Sequence, residues 1–143
     1  VNAKGAFFGL NLTHTRGDMY RALIEGIAYG TRHVTETFEE LGQQPARLLA
    51  VGGGTKNALW LQATSDITGI DQIVCEKTPG ASYGDAFLAA LAVGLVKRED
   101  IAMRHPAATS VTAQSDPLYV KSYALFRRLY EQTRDIAAEV SAP

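Results

Sequence analysis

The chain has 143 residues, 46% of them hydrophobic, with 14 basic and 15 acidic side chains and a formal net charge of -1. That length and balance fit one globular domain and exclude the polybasic surface that nucleic acid or an anionic membrane would require. A single cysteine, Cys75, excludes an intrachain disulfide framework, and His14, His33 and His105 lack zinc-ligand spacing.

Gly5 to Leu10 is a short apolar segment broken by glycines, expected as a strand end or a loop laid on the core. Thr15-Arg16-Gly17-Asp18 has the form of a capping box, with Thr15 at the cap. A long helix is predicted to follow, with Met19, Leu23, Ile27, Gly30, Val34, Phe38 and Leu41 as its inner stripe and Gly42 as its stop. Gly26 and Gly30, one turn apart, predict close approach of a neighbouring element.

Leu48 to Val51 is a continuous apolar run, which suits a strand covered on both faces. Gly52, Gly53 and Gly54 end it, and a helix is predicted from about Lys56 to Thr68, with Thr55 as its cap, Leu59 and Trp60 as core contacts and Gly69 as its stop. Such a turn has two readings. It is a tight connection, or it is a cradle in which backbone N–H groups and a helix N-terminus meet a nucleotide. Two familiar nucleotide motifs are excluded. Lys56 is followed by Asn57 where a P-loop needs serine or threonine, and Asn57 stands where a Rossmann fingerprint needs its third glycine. The Asn57 amide offers both a donor and an acceptor, suited to a ribose hydroxyl or a purine edge.

Ile70 to Cys75 is predicted as a second strand with a buried thiol, and Glu76 to Ala81 as a loop. Ser82-Tyr83-Gly84-Asp85 has the form of a second capping box before the small apolar helix Ala86 to Val93, expected to be buried on most sides. Val96 to Gln114 reads as a surface connection. Ser115-Asp116-Pro117 opens the last helix, whose stripe of Tyr119, Tyr123, Phe126, Tyr130, Thr133, Ala137 and Val140 is predicted to face the core, and Ser141 to Pro143 is a natural frayed end. Helices alternating with strands predict an α/β fold with parallel strands. No apolar run is long enough for a bilayer and no signal peptide opens the chain, so the cytoplasm is the expected compartment. The start at Val1 suggests a piece of something longer.

Two stretches carry a specific resemblance. Gly5, Phe7, Gly9, Leu10, Asp18, Met19, Ala22, Leu23, Ile24 and Glu25 fall at the spacings of the second signature of the FGGY family of carbohydrate kinases. Val51-Gly52-Gly53-Gly54, then Asn57, Trp60, Gln62, Asp66 and Gly69, are similar to that family's adenosine motif, and Gly80 to Ala86 to its connecting helix at the interdomain hinge. The resemblance covers nearly the whole chain, least securely from Arg98 to Gln114.

The resemblance implies an actin-like (ribonuclease H-like) ATPase fold, with residues 1–143 as part of the C-terminal of two domains that close on ATP and sugar. It implies that Gly53 and Gly54 run beside the phosphates and ribose, and that Asn57 contacts the adenosine. Lys56 is expected to face solvent, Gly84 and Asp85 to belong to the hinge helix, with Asp85 as its cap. The sugar pocket, the catalytic base and the phosphate hairpins are expected outside these residues, so no catalytic or metal-ligating residue is assigned among Asp18, Asp66 and Asp85. ATP or ADP and a small sugar or polyol are the implied partners, with Mg²⁺ inferred from the chemistry of ATP. The glycine-rich turn is closer to xylulokinase-like members than to glycerol kinases, which makes a ketopentose such as D-xylulose the expected substrate. Two alternatives stay open, a non-catalytic ATP-binding switch and an interaction domain. With the first strands of the domain missing, Leu48 to Val51 is expected to sit at an open sheet edge, which makes a homodimer a candidate assembly.

Overall fold

A computed structural model describes residues 5–75, 81–103 and 107–140. The first helix, α1 (Arg16–Glu40), starts where the capping box places it. The Thr15 hydroxyl accepts from the Asp18 N–H at 3.3 Å, and an Asp18 carboxylate oxygen accepts from the Thr15 N–H at 2.7 Å. These bonds from Thr15, its N–H first, hold the Asp18 carboxyl below the ordinary carboxylate range. Beyond the helix end, Gly42 takes φ 74°, and the Gln43 N–H reaches back to the Phe38 carbonyl at 2.8 Å.

The buried face of α1 is not the predicted one. Ile24, Ala28, Tyr29 and Thr35 are buried, whereas Met19, Leu23, Ile27, Val34, Phe38 and Leu41 are exposed. The helix is apolar on two adjoining faces. The small residues Ala28 and Thr35 lie on the face that is covered here. Gly26 and Gly30 likewise face open space rather than a close neighbour.

Strand β1 (Leu48–Ala50) leads through a 3₁₀ turn (Gly53–Lys56) into α2 (Ala58–Thr68), which stops at Gly69 with φ 70°, as predicted. Strand β2 (Gln72–Cys75) starts two residues later than predicted and pairs parallel with β1, Leu48 beside Gln72 and Ala50 beside Val74. Cys75 is buried, as expected. A third strand, β3 (Ala107–Val111), lies within the stretch predicted as a surface connection and pairs antiparallel with β2, with an irregularity at Val74/Cys75. The sheet order is β1-β2-β3, so β1 is an edge and the sheet is mixed rather than all parallel. The β1 run is not covered on both faces either, since Leu49 is 59% exposed.

Helix α3 (Ala81–Ala92) takes in Ser82 to Asp85, so these residues are helical and do not form a capping box ahead of it. Phe87 is buried, but Leu88 and Val93 are exposed, which corrects the expectation of a helix buried on most sides. The short α4 (Asp100–Met103) follows, and the Asp100 carboxylate accepts from the Lys97 N–H at 2.8 Å. Gly5 to Leu10 is irregular and exposed instead of lying on the core. Of the predicted loop Glu76 to Ala81, residues 76–80 fall outside the described residues and Ala81 opens α3; the predicted frayed end from Ser141 to Pro143 also falls outside them.

The last helix, α5 (Pro117–Val140), begins as predicted, with the Asp116 carboxylate accepting from the Leu118 N–H at 2.8 Å. Its first two turns supply the core. Tyr119 and Tyr123 join Ala28, Tyr29 and Ile67 in one buried cluster, with Phe126 packed against it and its ring centroid 5.5 Å from that of Tyr29. Farther along, Tyr130 and Val140 are exposed, so the stripe is core only at its start. Polar tips close the cluster. Tyr119 meets Arg21 and Glu25, while the Tyr123 hydroxyl donates to Glu36, and the Arg32 guanidinium lies 4.2 Å from the Tyr123 ring centre. Burial pushes the phenol pKa of both tyrosines upward, so they stay protonated donors.

Candidate functional site

The glycine turn is built by chemistry that does not itself need a ligand. Gly52 adopts φ 81° and ψ -167°, a conformation that side chains do not tolerate. The Thr55 hydroxyl donates to the Gly52 carbonyl at 2.8 Å, which folds the chain back into the 3₁₀ turn. Gly54 is needed for a different reason. A Cβ there would stand 3.3 Å from the Trp60 indole, tighter than ordinary van der Waals contact. Gly53 is the exception. It is exposed, and a Cβ on it would meet nothing within 4 Å.

Thr55 was the expected helix cap, but Asn57 holds that place. Its side-chain oxygen accepts from the Trp60 N–H at 3.2 Å, and its amide nitrogen donates to the Tyr20 hydroxyl of α1 at 2.7 Å. Lys56 is exposed, as expected. Beside the turn lies a cleft of about 230 Å³, open at one side and lined by Thr31, Val51, Gly54, Trp60, Thr64 and Gln72 among others. Its floor is polar and hydrogen-bonded. Gln72, 5% exposed at the start of β2, donates to the Leu61 carbonyl and, at 2.9 Å, to the Ser65 hydroxyl, which donates in turn to the Val111 carbonyl at 3.1 Å.

Gly52, Gly53, Gly54 and Asn57 thus share one turn, while Gly84 and Asp85 sit on the exposed surface of α3. Asp18 caps α1, and Asp66 accepts from the Gln62 amide at 2.7 Å and the Gln114 N–H at 2.8 Å, fixing the approach to α5. Both carboxylates are occupied in holding backbone. Two residues of the site were not found from sequence. Tyr20 lies 37 positions from its partner Asn57, beyond any local pattern. Gln72 had a signal, an amide at the head of an apolar strand, that pointed to burial without naming a partner.

The sequence model described as the FGGY family of carbohydrate kinases, C-terminal domain, matches residues 1–93. The chain belongs to that family. Among its FGGY relatives, the xylulose kinase of Bacillus subtilis strain 168 is 32% identical over 137 residues, covering 93% of this chain and 28% of the relative. A glycerol kinase of Clostridium beijerinckii is 38% identical over 102 residues, covering 70% of this chain and 20% of the relative. Solved structures agree. The xylulose kinase of Rhodospirillum rubrum superposes with a TM-score of 0.78 at 29% identity, over 94% of this chain and 28% of that one. The Plasmodium falciparum glycerol kinase with ADP superposes at 0.74 and 25% identity, over 92% of this chain and 27% of that one. The chain therefore has the actin-like ATPase fold of the FGGY kinases with an incomplete sheet, and spans about 28% of the length of the xylulose kinases it matches.

Proposed function

We propose that residues 1–143 are the nucleotide-binding part of the C-terminal domain of an ATP-dependent carbohydrate kinase. Gly52, Gly53 and Gly54 would run beside the phosphates and ribose of ATP or ADP, and Asn57 would contact the adenosine. The observation that carries this is the open backbone at Gly53 next to Asn57, in a turn that lies inside the family match. A ligand can lie directly on such backbone, and the start of a 3₁₀ turn is where N–H groups lack partners within the turn. Gly84 and Asp85 belong to the same proposal as part of the hinge helix, not as catalytic groups.

Mg²⁺ would arrive on the phosphate oxygens of the nucleotide, since among the described residues no cluster of three His, Cys, Asp or Glu side chains could hold a metal. Phosphoryl transfer needs a base on the attacking hydroxyl and several groups on the γ-phosphate at once. This piece would supply the nucleotide side, and the rest of a longer polypeptide the sugar side, so the piece alone would be inactive. A ketopentose such as D-xylulose is the proposed acceptor, supported by xylulose kinase relatives that match 93% to 96% of the chain. The proposed compartment is the cytoplasm. Among the described residues no helix is long and apolar enough to cross a membrane. The isolated piece would pair with a second copy at the open edge of β1.

The test is ADP release by the longer polypeptide that carries this chain, with MgATP and a panel of pentuloses, hexuloses, glycerol and aldonates. The 143-residue piece is the control. Release that depends on a pentulose and is absent from the piece is the expected result. No release with any sugar, while ATP still raises the melting temperature, would replace the kinase with a nucleotide-binding switch.

A further inference from the structure

We infer that Tyr20 is a positioning residue for the nucleotide: its phenol oxygen, on α1, fixes the Asn57 carboxamide at the N-terminus of α2 in a ligand-ready orientation. The inference rests on the placement of Asn57 at the nucleotide. Two bonds from two different elements hold that carboxamide. Its oxygen accepts from the Trp60 N–H at 3.2 Å, and its nitrogen donates to Tyr20 at 2.7 Å. Because the Trp60 N–H can only donate, the oxygen must face it, which also settles the orientation of the amide.

A primary amide has two N–H donors and two oxygen lone pairs. One of each is used, so one N–H and one lone pair remain in fixed directions. That is the complement a ribose hydroxyl or a purine edge needs. The cap bond alone would leave the amide plane free to rock about the Asn57 oxygen. The Tyr20 bond removes that freedom, and a pre-oriented group does not lose it again on binding. Accepting from Asn57 also leaves the Tyr20 O–H free to donate, so phenol and amide form an adjacent polar pair. Tyr20 is 52% exposed, and its bond to Asn57 lies at the surface. An exposed hydrogen bond contributes little to folding, so its effect should fall on binding instead.

Steady-state kinetics on the longer polypeptide that carries this chain separate these roles. The variants are Tyr20→Phe, which loses only the hydroxyl, Asn57→Ser, which keeps a helix-capping oxygen but loses the amide, and the double substitution. Tyr20→Phe is expected to raise KM for MgATP about 2- to 10-fold, the range of one ordinary hydrogen bond, with kcat, sugar KM and melting temperature unchanged. The double variant should match Asn57→Ser alone, because the phenol acts through the amide. ADP binding by calorimetry reads the same shift without turnover. An effect of Asn57→Ser with none of Tyr20→Phe overturns the role of Tyr20. So does a drop in melting temperature at unchanged KM, which would leave a simple tether between helices. If Asn57→Ser leaves nucleotide affinity untouched, the placement of Asn57 fails and the inference fails with it.

Discussion

Gln72→Glu would turn the floor of the cleft into a measurable electrostatic problem. The substitution keeps the shape of a side chain that is 5% exposed, but replaces a two-hydrogen donor by a carboxylate facing the Leu61 carbonyl and the Ser65 hydroxyl. Below the pKa of the unfolded carboxyl, about 4.3, the protonated acid still donates one bond, so the cost is one lost hydrogen bond, about 1 kcal/mol. Above it, burial and the facing carbonyl hold the folded pKa up. The penalty then grows by about 1.4 kcal/mol per pH unit until the folded pKa is reached. A folded pKa at or above 7 adds about 4 kcal/mol at pH 7. Hydrogen exchange on the longer polypeptide, following peptides that span Leu61–Thr68 and Gln72–Cys75, gives the difference from wild type at each pH. Protection lost at pH 7 and largely regained at pH 5 is the expected pattern. A difference that is the same at both would mean the carboxylate reaches water, and the closed floor inferred for this cleft would be wrong.

Four further outcomes follow from the turn and the helices. Gly52→Ala should destabilise by about 1–3 kcal/mol in thermal melting because of its backbone conformation. By contrast, Gly53→Ala meets open space and should leave melting unchanged, so any loss of ATP affinity in that variant reports crowding of the ligand itself. In α1, the depressed Asp18 carboxyl stabilises the cap above the unfolded Asp pKa, and this is lost as pH falls through the folded value; exchange protection in the first turn should drop below about pH 4, and Asp18→Asn should flatten that dependence. Tyr123→Phe keeps the stacked rings but removes the hydroxyl that meets Glu36, costing about 1–3 kcal/mol and exposing α5 to faster proteolysis. Equal cleavage rates would show that packing alone holds that helix.

Local grammar was enough for several features whose causes are local, although the Ser82–Asp85 box was not one of them. The Thr15–Asp18 box, the stop at Gly69 and the Asp116–Pro117 start each depend on residues within a few positions, and each is where the sequence puts it. What failed most was anything decided by a distant partner. Two apolar faces on α1 are indistinguishable by periodicity, and only the positions of α2 and α5 choose Ile24, Ala28 and Tyr29 over Met19, Leu23 and Ile27. Ala107 to Val111 carries little β preference and becomes a strand because β2 offers an unpaired edge. At the glycine turn the motif was legible as a whole, but the division of labour was not. Thr55 and Asn57 are equally plausible caps on paper, and the 3₁₀ turn moves the helix start two residues past Lys56, to Ala58.

The docking of α5 on α1 also sets an order of events during synthesis. Glu25 and Tyr119 meet across 94 residues, so the first helix emerges from the ribosome long before the aromatic side chains that cover Tyr29 exist. At about 5–20 residues per second, that interval is about 5–20 seconds. Throughout it, Tyr29 lacks the rings that later seal it, on a helix whose other face is already apolar. The nascent chain therefore carries this uncovered aromatic face until α5 is made, and the last helix works as the closing stitch that ends that window.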